Sequence, residues 1–357
     1  MKKEKIVLGM SGGVDSSVAA ILLQKKGFEV YGVFMKNWDD KNAICNAEDD
    51  YADAVSVCNQ LNIPLKKINY TKEYKDRVFS QFLDDHKNGF TPNPDVLCNK
   101  EIKFDVFQKY AKQIGATKIA SGHYAKIVKE NDNFFISKAS DRTKDQSYFL
   151  YQLKSSLLQN IEFPLGGLLK KDIRKIAEEN NLVNASKKDS TGICFIGDRK
   201  YNDFVCQFLK TKKGKIITVD GEEIGHHDGH MYFTVGQRKG LGIGARNSAF
   251  DKPWYVVNKD INKNIVYVAQ GGTHPALFSD QLLADNMYWS RDISKLLPFK
   301  CNAKVRYRDE DHSCQILSSN EDKCYIKFDN KIKAITNGQS IVLYLSLIHI
   351  SEPTRLE

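Results

Sequence analysis

Lys5-Ile6-Val7-Leu8-Gly9-Met10-Ser11-Gly12-Gly13-Val14-Asp15-Ser16-Ser17 is the stretch on which the reading of this chain turns. A short β-branched and apolar run gives way to small residues with two adjacent glycines. Val18-Ala19-Ala20-Ile21-Leu22-Leu23 then resumes an apolar pattern, so the order is strand, turn, helix. Glycine lets a backbone approach an anion closely, successive N–H groups converge on it, and the helix N-terminus adds partial positive charge. Ser11, Ser16 and Ser17 add hydroxyl donors, and the loop reads as a phosphate cradle. The simpler alternative is a glycine turn with Asp15 or Ser16 as the helix N-cap. The loop lacks both the Gly-Lys-Ser/Thr ending of a Walker A motif and the G-x-G-x-x-G of a dinucleotide fold.

Outward from this loop, strands and helices alternate. Residues 28–34 read as a strand after Gly27 as the helix C′ residue, and Glu48-Asp49-Asp50 opens a helix with Ala54, Val57, Cys58 and Leu61 at helical spacing. Residues 64–70 and 118–121 read as further strands, with a helix over 74–87 between them. This order predicts an α/β fold with a doubly wound parallel sheet, whose ligands bind at the carboxyl ends of strands. Met35, just past the second strand, reads by itself as a core methionine.

The chain has 357 residues, enough for two or three domains, and its apolar fraction of 41% is that of a soluble globular protein. It holds no run of ~18 apolar residues, and the charged start leads into a strand with no signal-peptide cleavage pattern, so a cytoplasmic protein is expected. The net charge of +9 is consistent with a polyanionic partner. None of the eight cysteines forms a C-x-x-C pair, so zinc ribbons and thioredoxin-type chemistry have no support. His226, His227 and His230 read as a solvated turn rather than a metal site, and no metal site is expected.

Phe90-Thr91-Pro92-Asn93-Pro94-Asp95-Val96-Leu97-Cys98-Asn99 reads as a stiff loop, because two prolines fix φ and extend the residues before them. Asn99 is expected to cap the helix that follows, which places Cys98 at a helix N-terminus, where the dipole raises the thiolate fraction. Cys194 lies between Gly192 and Gly197 in a segment that would expose a thiol. Two such loop cysteines could pass sulfur between them if they meet, which spacing alone does not show.

Beyond about Tyr201 the texture becomes short β runs with turn residues, at 215–219, 231–235, 254–257 and 265–268. Residues 236–244 form a glycine-rich basic loop suited to a phosphodiester backbone. From about 271 another set of alternating runs predicts a small barrel.

Taken together, Ser-Gly-Gly-Val-Asp-Ser (11–16), Thr-Pro-Asn-Pro-Asp-Val-Leu-Cys-Asn (91–99), Ser-Gly-His-Tyr (121–124), Lys-Asp-Gln-Ser-Tyr-Phe-Leu (144–150), Ser-Thr-Gly-Ile-Cys-Phe-Ile-Gly (190–197) and Thr-Val-Gly-Gln-Arg-Lys-Gly-Leu-Gly-Ile-Gly (234–244) resemble the bacterial tRNA-specific 2-thiouridylases. The first of these motifs by itself resembles the PP-loop of the N-type ATP pyrophosphatases, adenine nucleotide alpha hydrolase-like enzymes that cleave ATP between its α- and β-phosphates. The resemblance implies a PP-loop catalytic domain over residues 1–200, a small central β domain over 201–270 and a C-terminal β-barrel tRNA-binding domain over 271–345. It implies ATP with Mg²⁺, and adenylation of the wobble uridine of tRNA followed by sulfur transfer from a cysteine persulfide. Cys194 would carry the persulfide, Cys98 would be the partner thiol that forms a transient disulfide with it, and Asp95 would be the acid or base. Gly9, Met10, Ser11, Gly12, Gly13, Val14, Asp15, Ser16, Met35 and Gly122 would hold the nucleotide. Asn93, Pro94 and Asp95 would contact the target base, and His123, Lys144, Asp145, Gln146, Arg306, Tyr307 and Gln339 the tRNA. Implied partners are tRNAs of the Lys, Glu and Gln type and a persulfide donor such as a cysteine desulfurase or sulfur-relay protein, with no membrane. Residues 346–357 depart from the family pattern and read as an atypical tail of foreign sequence.

A small-molecule AMP-forming ligase shares the loop but has no use for the two cysteines. A non-catalytic RNA-binding protein accounts for the basic β domains but not for the cradle.

Overall fold

The computed structural model describes residues 3–39, 47–189, 196, 199, 201–243, 252–320 and 323–356. Two compact units emerge, one of Met1–Ser80, Pro94–Asp198 and Leu347–His349, the other of Gln81–Asn93, Arg199–Ser346 and Ile350–Glu357.

In the first unit the chain runs β1 (Lys5–Gly9), α1 (Val14–Lys25), β2 (Glu29–Lys36), α2 (Ala47–Gln60), β3 (Leu65–Asn69), β4 (Lys118–Ala120), a hairpin of β5 (Ala125–Glu130) and β6 (Asn133–Lys138), and β7 (Ile161–Glu162). The parallel sheet has the order β3-β2-β1-β4-β7, as the doubly wound reading requires. Central β1 has both faces covered, which is why it reads as an unbroken apolar run. Successive side chains point to opposite faces. Ile6 and Leu8 pack with α1, α2 and the helix Lys170–Glu179, while Val7 packs with Phe104, Phe107 and Ile119 on the other side. Gly27 has φ +90 and ends α1 as expected: its N–H donates to the Gln24 carbonyl, and the Phe28 N–H to that of Leu23.

The chain builds β1, β2 and β3 to one side and β4 and β7 to the other, so the winding reverses between β1 and β4. A crevice opens at such a switch point, beyond the carboxyl ends of the two strands.

The second unit holds two all-β assemblies. The first contains β8 (Gly214–Thr218), β9 (Glu223–His227), β10 (Trp254–Asp260) and β11 (Ile265–Gln270) in the order β10-β11-β8-β9, over a core of Ile216, Ile224, Val256, Val266 and Val268. One expected strand is not there. Residues 231–235 begin in the 3₁₀ turn His230–Tyr232, and the histidine-bearing β9 is the strand instead. Both edges of β8 are already taken by β9 and β11, so the apolar run is left to pack Phe233 into the core. Within β9, His226 and His227 point to opposite faces, one exposed and one buried, and cannot converge on one ion.

The second assembly comprises β12 (Phe278–Trp289), β13 (Phe299–Lys304), β14 (His312–Ser319), β15 (Lys323–Lys333), β16 (Val342–Leu345) and β17 (Ile348–Leu356). The strands follow β12-β15-β14-β13-β16-β17, and β17 pairs back onto β12 from Ala284↔Leu356 to Trp289↔Ser351, closing a barrel around Ile316, Ile326, Phe328 and Leu343. The tail that reads as foreign thus supplies the closing strand, with Ile350 in the barrel core.

Candidate active site

The loop between β1 and α1 lies at the switch-point crevice. Neither Asp15 nor Ser16 is the N-cap; Gly13 holds that position in an extended conformation, with no side-chain cap. Ser16 and Ser17 lie inside the helix, and each donates its Oγ hydrogen to the Gly13 carbonyl at 3.0 Å. Ser16 Oγ also accepts from the Ser11 N–H at 3.2 Å, which curls the loop over the helix end. Gly12 has φ +75, and a Cβ there would lie 2.1 Å from the Asp50 carbonyl oxygen. Across the crevice a Cβ on Gly122, just after β4, would lie 3.0 Å from the Ser16 nitrogen. Two close backbone approaches therefore shape the cradle: the one at Gly12 excludes a side chain, and the one at Gly122 leaves a Cβ only tight room.

Among the expected nucleotide residues, Ser11 is exposed and Gly13 and Asp15 are half-buried, whereas the Met10 and Val14 side chains belong to the core. Met10 and Val14 can offer a ligand only backbone, and the Met10 N–H is already given to the Val33 carbonyl at 2.8 Å. Met35 packs across the strand end with its Cε 3.3 Å from where a Gly9 Cβ would stand.

Apart from Asp15 and Lys144, the latter expected at the tRNA, sequence reading missed the polar groups that surround this loop. Asp15 Oδ1 accepts from the Tyr124 hydroxyl and the Lys170 ammonium, each at 2.7 Å. Lys170 reaches Asp189 at 2.7 Å as well, and Asp189 also pairs with Lys144 at 2.7 Å and Arg174 at 2.8 Å. Burial by itself would raise the Asp189 carboxyl; hydrogen bonds from Lys144 and Lys170 and their charges outweigh it and hold it down at about 2. Burial, then the Asp15 carboxylate, pushes the Tyr124 phenol up, so Tyr124 remains a donor. Asn184 Nδ2 donates to the Gly12 carbonyl and to Ser17 Oγ, both at 2.9 Å. Lys187 ties the same segment to Asp50 of α2 at 2.7 Å. The spacing of Ile173, Ile176 and Ala177 marks the helix that carries Lys170, but nothing local signals its partners, which are far away in sequence.

Cys98 is not at a helix N-terminus. The helix begins at Pro94 and runs through Pro94–Leu97, the π-helical Cys98–Val106 and Phe107–Gln113, so Cys98 is one turn inside it. Proline suits the first helical position, because the N–H it lacks would have had no partner there. Asn99 caps nothing; it is buried and donates its Nδ2 to the Phe149 carbonyl at 3.0 Å. Cys98 itself is 4% exposed. Asp95 stands one turn before it, and burial, only partly offset by the Lys103 charge, raises its carboxyl above the ordinary range. Cys194 lies outside the described residues.

A raised carboxylate has a stability signature. Above the ordinary carboxylate range and up to the raised value, the folded chain keeps a proton that the unfolded chain has released, so stability falls as pH rises through that window. Asp95→Asn is expected to unfold at higher denaturant than the unaltered protein at pH 7, with the gap closing near pH 4. A gap that does not change with pH in urea titrations would contradict the raised carboxyl.

The expected tRNA residues have internal partners. His123 Nδ1 bonds Ser121 Oγ at 2.7 Å, its ring packs against Phe104 and Phe163, and burial keeps it neutral. Asp145 accepts from the Ala139 N–H at 2.9 Å, and Gln146 Oε1 from the Tyr124 N–H at 3.0 Å. In the second unit Arg306 donates to the Lys333 carbonyl at 2.6 Å and Gln339 to the Thr91 carbonyl at 2.8 Å. Asn93 and Tyr307 are half-buried and Pro94 is buried.

Three family models match the chain in succession: a tRNA methyl transferase HUP domain over residues 4–198, a tRNA methyl transferase PRC-barrel domain over 202–270 and an aminomethyltransferase beta-barrel domain over 279–347. The tRNA-specific 2-thiouridylase MnmA 1 of Geobacillus kaustophilus is 51% identical over 346 residues, covering 96% of this chain and 93% of the relative. The MnmA of Legionella pneumophila strain Lens is 51% identical over 344 residues, covering 96% and 95%. That of Coxiella burnetii strain CbuK_Q154 is 48% identical over 346 residues, covering 96% and 93%. With that identity along almost its whole length, and with the cradle at the β1–β4 switch, the chain belongs to the tRNA-specific 2-thiouridylase MnmA family.

Proposed function

We propose that this protein replaces the 2-oxygen of the wobble uridine in tRNA with sulfur, using ATP, and releases AMP and pyrophosphate. The observation that carries this reading is a phosphate cradle shaped by Gly12 and Gly122, in a unit that also holds Asp95 one turn before Cys98.

The uracil oxygen is a poor leaving group, and ATP supplies the activation: the oxygen attacks the α-phosphorus, and pyrophosphate departs. Backbone N–H groups around Gly12 and Gly13, with the Ser11 hydroxyl, receive the phosphates at the N-terminus of α1. Lys170 supplies the cation that the loop itself lacks. Asp15 uses Oδ1 for both its bonds to Tyr124 and Lys170, so its Oδ2 is the carboxylate oxygen that fits the Mg²⁺ accompanying ATP. Gly9, Met35 and the Gly122 turn form the nucleoside side of the crevice.

Asn93, Pro94 and Asp95 receive the extruded base, whose unstacking costs a few kcal/mol and favours the single-stranded anticodon loop. Asp95 moves the proton at the uracil. The terminal sulfur of a Cys194 persulfide attacks C2, and AMP leaves with the former oxygen. The Cys98 thiolate then attacks Cys194 Sγ; the S–S bond breaks, its electron pair stays on the uridine sulfur, and a Cys98–Cys194 disulfide remains for an external thiol to reduce. A cysteine desulfurase or sulfur-relay protein supplies the persulfide. His123, Lys144, Asp145, Gln146, Arg306, Tyr307 and Gln339 serve the tRNA-binding surfaces, most of them by holding backbone in place. The substrates are tRNAs of the Lys, Glu and Gln type. Among the described residues no helix is long and apolar enough to cross a membrane, and the proposed compartment is the cytoplasm.

The test is pyrophosphate release with no sulfur donor present. About one equivalent per protein is expected with unmodified tRNA and none without it. Release driven instead by a small carboxylate or amine would favour an AMP-forming ligase.

A further inference from the structure

The second unit contains a cavity of about 890 Å³ that none of the chemistry above uses. Its wall includes Lys87, Asn88, Asn258, Lys259, Asn262 and Tyr267. Lys259, on β10, has no hydrogen-bond or ion-pair partner for its ammonium among the described residues. Two ion pairs stand on the wall itself: Lys87 pairs with Asp84 at 2.8 Å, and Asp260 with Lys263 at 3.4 Å. The groups that Lys259 does influence are His86 and His230, both held neutral chiefly by burial and then by Lys259. Burial brings the Lys259 ammonium down to about 8, so it is still charged at pH 7. A half-buried ammonium without a counterion is costly to keep unless an anion arrives to pair with it.

We propose that this cavity is a phosphate-group site, in which Lys259 pairs with a phosphodiester of the polynucleotide substrate. The inference rests on the tRNA reading above. The cavity is far larger than an inorganic phosphate needs. Its three asparagine amides can meet base edges or ribose hydroxyls, and Tyr267 offers a ring face, a combination that suits a nucleotide within a chain. The chain's net charge of +9 brings such a ligand in.

The test is binding of unmodified tRNA to the full chain across a salt series, for the unaltered protein, Lys259→Met and Lys259→Arg. Lys259→Met is expected to weaken binding about tenfold and to lower the salt slope by about one unit, while Lys259→Arg retains both. Inorganic phosphate and pyrophosphate, titrated against the Lys259 amine by NMR, are expected to shift it only weakly. Unchanged tRNA affinity and slope in Lys259→Met would overturn the proposal, as would tight Lys259-dependent capture of the free anions without an effect on tRNA. Failure of the unaltered protein to bind tRNA would instead count against the function itself.

Discussion

Gly12→Ala is expected to give a folded protein that no longer uses ATP. At φ +75 an alanine is strained by roughly 1–2 kcal/mol, and its Cβ would stand 2.1 Å from the Asp50 carbonyl oxygen. Asp50 cannot retreat freely, because Lys187 holds its carboxylate and α2 its backbone. The loop must move instead, and displacing a phosphate-binding backbone by about 1 Å costs on the order of 10²-fold in rate. Gly13→Ala is the matched control, since its Cβ would meet nothing nearer than Ser11 Oγ at 3.4 Å. Calorimetric titration with ATP should show affinity lost in Gly12→Ala and largely kept in Gly13→Ala, with both circular dichroism spectra native. Equal effects at the two positions would contradict the cradle geometry.

The second large effect is at Cys98. Cys98→Ser is expected to lower 2-thiouridine formation by roughly 10³-fold or more, as loss of a reacting nucleophile does, while tRNA-dependent pyrophosphate release continues. The side chain is 4% exposed, so Cys98→Ala serves as the second variant in which no hydroxyl is buried. If both variants thiolate normally, the second thiol has no part in sulfur release. If both lose pyrophosphate release as well, Cys98 acts through packing rather than chemistry.

What could be read in advance was local. The apolar run of β1, the paired glycines and the helix after them announce themselves within a short stretch of chain, and the alternation that follows fixes the sheet. Arrangements made by distant partners could not be read in this way. Nothing near Lys170 says that it lies between Asp15 and Asp189, and nothing near His123 says that two phenylalanines enclose it. The Pro92–Pro94 segment misleads for a different reason: the same ring that breaks a helix interior is welcome at its first residue, so the helix starts a turn earlier than the prolines suggest. Residues 231–235 have strand-like composition, yet composition cannot show that both edges of β8 are occupied.

The central claim is sulfur transfer to tRNA uridine, and nucleoside mass spectrometry tests it most directly. Unmodified tRNA is incubated with the protein, Mg-ATP and a persulfide donor, alongside the Cys194→Ser variant, then digested. The account predicts an oxygen-to-sulfur mass shift on uridine that is absent in Cys194→Ser. ATP consumed by the unaltered protein with no thiolated nucleoside, in the presence of a competent donor, would contradict it.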